Sequence, residues 1–190
     1  MKKKFLLICF LVSINSMNSQ EISVERSVFG IQTGLLGIWG HNEFRVSNKI
    51  AFRSEIGFDA GFWGGSFYEE NGYVLAPVIS VEPRWYYNIS KRAAKEKRID
   101  GNSANFLSLR LGYHPDWFSI SNQDVNIVSD VSIIPMWGLR RNLGEHFNFE
   151  TGAGLGYVYY LAKNAGYLEN EGDVVLNILL RIGYKFRTKK

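Results

Sequence analysis

After Ile50 the chain alternates, residue by residue, between apolar and polar side chains, and a period of two is the signature of β-strands rather than helices. In the first run Ile50, Phe52, Ile56, Phe58, Ala60 and Phe62 share one face, while Arg53, Glu55, Gly57, Asp59 and Gly61 share the other. The next run sets Leu75, Pro77, Ile79, Val81 and Trp85 against Ser80, Glu82, Arg84 and Tyr86. Four more runs repeat the pattern at 107–117, 131–140, 147–161 and 174–186, with Ile134 and Met136 blurring the polar face of one of them. Helical spacing would scatter each set around a cylinder. Residues 28–46 read less clearly, because Gly30, Gly34, Gly37 and Gly40 permit either one long bent strand or a short hairpin. Two strands in 22–46 bring the total to eight, the smallest even number for a closed transmembrane barrel. The expectation is an all-β chain, an antiparallel up-and-down β-barrel of eight strands in a single domain, 20–190.

Alternation alone fits two barrels of opposite polarity: a transmembrane one with apolar residues facing lipid, and a soluble lipocalin-like binding barrel with them inside. The polar face favours the first. It interleaves charged residues with glycines at 57, 61, 112, 138, 152, 154, 156 and 183, which offer water nothing but make room inside a narrow barrel. Its cations are Arg53, Arg84, Arg110, Arg140 and Arg181 with one lysine, Lys185, and arginine is the residue suited to enclosed multidentate pairs. Glu55, Asp59, Glu82, Asp116 and Glu150 are the matching acids, so an interior charge network is expected. Large pairs of this kind fill an eight-stranded interior and argue against an open pore. Trp85, Tyr87, Trp117, Trp137, Tyr157, Tyr159 and Tyr184 fall towards strand ends, as interfacial aromatic girdles do.

The N-terminus predicts export. Lys2, Lys3 and Lys4 precede an apolar stretch at 5–12 and a small, polar one at 13–19, a signal peptide with cleavage expected after Ser19. Cys9 leaves with it, so the mature chain has no thiol or disulfide chemistry. Without those three lysines, the chain's 22 basic residues nearly match its 18 acidic ones, and the high pI is no sign of nucleic-acid binding. No later run reaches the ~18 apolar residues of a transmembrane helix.

The signal peptide, the turn Val46-Ser47-Asn48-Lys49 into IAFRSEIGFDAGF, the strand FETGAGLGYVYY and the terminal ILLRIGYKF together resemble the small outer-membrane β-barrels of Gram-negative bacteria, the OmpA-like and OmpX-like type. The likeness covers most of 27–186. It implies residence in the outer membrane, contact with the bilayer and lipopolysaccharide, and insertion by the barrel-assembly machinery, which reads a terminal aromatic strand, here Tyr184 and Phe186. With the C-terminus periplasmic, turns 47–48, 88–105 and 142–145 face the periplasm. Loops 64–72, 119–129 and 163–173, carrying Glu69, Glu70, Asp124, Glu169 and Glu171, then face outward, where an extracellular partner would meet them. The basic run Lys91, Arg92, Lys95, Lys97 and Arg98 reads as a solvated flexible turn, with anionic headgroups the alternative.

Catalysis has one candidate constellation. His114 and Asp116, two residues apart with Ser119 nearby, would suit a lipid-modifying hydrolase of the deacylase kind if all met on one face. Nearness in sequence is no evidence of triad geometry, and a structural role for both is the favoured reading. His41 and His146 lie near turns and are expected to be exposed. No metal-ligand spacing and no cofactor motif is seen. The expected role is structural or surface-interacting, not enzymatic, with a hydrolase or narrow porin as the alternative.

Overall fold

The computed structural model describes residues 22–66 and 70–186, and the expected signal segment, 1–19, lies outside them, as does Glu69. β1 (Ser27–Gly34) and β2 (Gly37–Arg45) form a hairpin. There follow β3 (Ile50–Trp63), β4 (Gly72–Trp85), β5 (Asn105–His114), the two-residue β6 (Ile120–Ser121), β7 (Asp130–Leu143), β8 (Phe147–Tyr160) and β9 (Glu171–Lys185). Every long strand pairs antiparallel with the long strands before and after it, and β1 pairs with β9, so eight strands close into a ring. The fold is an up-and-down β-barrel, and residues 22–46 supply two of its strands. Their turn is only Leu35-Leu36, made possible by Gly37, whose φ of +144° suits a residue without a Cβ.

The polarity is inside out relative to a water-soluble domain. On β9 Val174, Leu176, Ile178, Leu180 and Ile182 are all more than half exposed, while Leu179 and Arg181 between them are buried. Phe29, Ile56, Phe62, Leu107, Ile133, Phe147 and Leu155 are exposed on the other strands, and the largest enclosed side chains are Arg53, Arg84 and Arg140. Interior glycines make the space the sequence suggested. A Cβ on Gly138 would meet the Phe106 ring at 2.5 Å, and one on Gly57 would meet Trp39.

Two expectations change. Pro115 lacks the N–H that would continue the ladder, and β5 stops at His114. Residues 115–119 leave the wall, and β6 rejoins β4 through Leu75↔Ile120 and Val74↔Ser121. Asp116 is therefore exposed outside the barrel, not part of the interior network, since alternation predicts a face only while a strand continues. Secondly, 86–104 is not a wholly solvated turn. A short helix, α1 (Ile89–Ala93), and a turn of 3-10 helix at Asp100–Asn102 fold it across one end of the barrel. Ile89, Asn102, Ser103 and Ala104 are buried there against Val24, Ala51, Tyr86 and Phe106, while Lys91, Lys95, Lys97 and Arg98 stay exposed.

Candidate functional site

The interior has three layers. The apolar cap closes one end. Above it lies the charge network, supplied by inward positions of β2, β3, β4, β5, β7, β8 and β9. Glu55 accepts hydrogen bonds from Arg110 at 2.6 Å, Arg181 at 2.7 Å, Ser80 at 3.2 Å and Arg53. Glu150 pairs with Arg84 at 3.1 Å and with Arg140. Glu82 accepts from Arg84 at 2.9 Å and from Ser108 at 2.6 Å. Glu43 pairs with Arg140 at 3.0 Å and takes hydrogen bonds from the Tyr86 hydroxyl at 2.7 Å and Asn102 Nδ2 at 2.6 Å. Rings complete the enclosure: the Arg84 guanidinium lies 4.2 Å from the Phe106 centroid, and that of Arg181 lies 3.6 Å from Trp39.

The cap is bonded to this network, to the segment leading into β1 and to the end of β9. Glu25 N–H donates to Asn102 Oδ1 at 2.7 Å, Gly101 N–H donates to the Glu25 carboxylate, and Arg140 donates to Gly101 O at 3.3 Å. Gly101 and Asn102 both take left-handed φ, at +57° and +59°, which turns the chain into the mouth. Lys185, placed in the interior network by sequence, sits at the rim, 3.8 Å from Glu25 and 3.9 Å from Asp100. Hydrogen bonds from Arg98, and a further one from Asn142, hold the Asp100 carboxyl below the usual range.

The third layer is more open. A cavity of about 200 Å³ lies beyond Arg110, lined by Val78, Gly112, Ser132, Ile134, Val158 and Val175 together with Asp59, His114, Asp130 and Asn177. His114 does not meet Asp116. Its Nδ1 is 3.0 Å from Asp130 and its Nε2 is 3.1 Å from Asp59, which also accepts from Trp39 Nε1 at 2.6 Å. An imidazole with both ring nitrogens held by carboxylates, and no serine among these contacts, does not have the arrangement of a hydrolase triad. Of the two residues that blur the polar face, Ile134 lines this cavity, while Met136 is buried in the apolar cluster that includes Tyr86 and Phe106. Tyr184 and Phe186 lie outside: Phe186 N–H donates to Phe29 O at 2.9 Å, and its ring stacks on Phe29 at 5.3 Å.

No protein-family model, curated protein or solved structure matches the chain. Sequence reasoning missed Gln32 and Glu43 as interior groups, and His41, expected to be exposed near a turn, is buried on the inner face of β2. A period of two through Trp39, His41 and Glu43 was the available signal, hidden by the glycines beside it.

Proposed function

We propose that this chain is an integral outer-membrane β-barrel, plugged against transverse diffusion, whose role is structural or surface-interacting. One observation carries the reading: the band of exposed aliphatic side chains around a buried arginine–glutamate interior. Monomeric soluble proteins rarely expose contiguous apolar patches of such extent, whereas a bilayer demands an apolar outside and a closed ring without free edges. A lipocalin-like barrel needs the opposite assignment of the two faces. Aromatic residues support the placement at the capped end, where Trp137 Nε1 donates to the Tyr87 hydroxyl at 3.0 Å and His146 stacks on Tyr184 at 5.2 Å. The capped end, which also holds the end of β9, is the periplasmic one in this reading.

At the opposite end, loop segments form a groove of about 870 Å³ lined by Asn126, Val128, Tyr160, Tyr167, Leu168 and Glu169. Leu168 is 95% exposed at its edge, which favours contact with an extracellular partner. Fractionation tests the membrane assignment. The chain should extract with detergent from the outer membrane and change gel mobility on heating; recovery as a soluble periplasmic protein sinks it. Planar-bilayer recording tests the plug, because stable wide conductance is incompatible with a filled interior.

A further inference from the structure

The barrel wall is not of even height. β1 covers β9 only from Lys185 to Arg181, its last pair being Gly34↔Arg181. β2 covers β3 up to Asp59, and one more bond, from Ala60 N–H to Leu36 O, ends the hairpin. Beyond it, among the described residues, no strand pairs with 171–180 of β9 or 61–63 of β3 on that side. Lys185 N–H donates to His146 O, and the β8–β9 register runs without a bulge from there. Gly172, Val174, Leu176 and Ile178 therefore turn their N–H and C=O groups away from β8, towards the gap.

The turn below the gap identifies its surroundings. A two-residue hairpin turn in water favours Asn-Gly or Asp-Gly. Here the tip is Leu35-Leu36, 74% and 51% exposed, beside the exposed Ile178 and Leu180 of the same outer surface. Two leucines at the tip of a tight turn, level with the apolar band, belong in hydrocarbon. A cavity of about 370 Å³ runs through the gap, bounded outside by those leucines and Ile178 and inside by Asp59, Arg110 and Asn177. It shares those three interior residues with the cavity beside His114. Its size lies within the ~300–1,000 Å³ of small-ligand sites.

We propose that this opening is a lateral window through which a fatty-acid-like, single-chain amphiphile binds from the bilayer. Its polar end lies among Arg110, Asn177 and Asp59, and its hydrocarbon tail rests on Leu35, Leu36 and Ile178. The backbone groups of Leu176 and Ile178, turned into an opening onto lipid with no strand beside them, need hydrogen-bond partners, and the ligand's polar end supplies them. Arg110 and Arg181 both bond Glu55, and His114 stands between Asp59 and Asp130, so the lining favours a small polar end over a multiply charged one.

The inference rests on the membrane reading, and the test separates the two. The full chain is placed in dioleoylphosphatidylcholine vesicles with every tryptophan except Trp39 changed to phenylalanine. A reference protein lacks Trp39 as well and carries Leu109→Trp on the opposite wall, where β5 pairs with β7. Each is titrated with stearic acid bearing a nitroxide beside its carboxyl end or at its methyl end. Trp39 should lose more fluorescence to the carboxyl-end probe, and the reference more to the methyl-end probe, which lies deeper in the bilayer. Asn177→Phe should abolish the Trp39 preference; if that variant does not fold, Ala60→Phe narrows the same opening from β3. A Trp39 response matching the reference in its order overturns the window and leaves the membrane barrel standing. A reference quenched by neither probe overturns both.

Discussion

Replacing Glu55 with glutamine tests the charged layer most directly, because the side chain keeps its shape and loses only its charge. Glu55 takes Arg110 at 2.6 Å and Arg181 at 2.7 Å, and among the described residues neither guanidinium has another carboxylate within ion-pair distance. Arg53 fares better, keeping Glu150 at 3.6 Å and Glu43 at 3.8 Å. Removing one partner of a buried pair costs about 3–5 kcal/mol, and stranding two guanidiniums puts Glu55→Gln at the upper end of that range. Urea titration of the folded barrel in vesicles, read by tryptophan fluorescence, measures the loss as a lowered midpoint at unchanged slope. Adding Arg181→Gln removes one stranded charge and should restore part of the stability, a non-additive result expected of neighbours. A loss below about 1 kcal/mol, the value of an exposed ion pair, would refute an enclosed network.

Three further substitutions probe the cap and the outer surface. Gly101→Ala should destabilise by about 1 kcal/mol or more, since its φ is +57° and a Cβ would meet Asn142 Nδ2 at 2.6 Å; unchanged trypsin resistance of 86–104 would contradict this. The depressed Asp100 pKa makes its contribution complete above the ordinary carboxylate value of about 3.9 and lost as pH falls through the folded one. Hydrogen exchange of the cap, corrected for intrinsic rates, should accelerate at acid pH in the native chain and lose that dependence in Asp100→Asn. Leu155→Arg changes an exposed residue, for which about ±0.5 kcal/mol is usual in water but about 2–4 kcal/mol applies on a lipid face near the midplane. The smaller value in vesicles would argue against a lipid-facing β8.

Strand positions and faces were legible because outward-facing and enclosed residues obey the same period of two as any half-buried strand. Arg53, Arg84, Arg110, Arg140 and Arg181 were therefore placed from sequence on the face that is now buried. What escaped had no period to follow. Asp116 lies past Pro115, where the ladder ends, and Asn102 reaches Glu43 across 59 positions of sequence. The cap's burial depends on backbone at Gly101 and Asn102 turning inward, and its many lysines and arginines describe only its outer side. The uneven wall was likewise invisible to alternation, although GLLG between two strands is an unusual turn for water.

The β1–β9 seam has a consequence in time. The first strand has to wait for the last, because Gly34 finds Arg181 and Phe29 finds Phe186 only when the whole chain is present. Such distant pairings make ring formation slow. Until then the sheet has two raw edges and its arginines are half-wrapped, so no shorter piece of the ring is a stable stopping point. Loss of the final strand should abolish the barrel outright rather than leave a seven-stranded one.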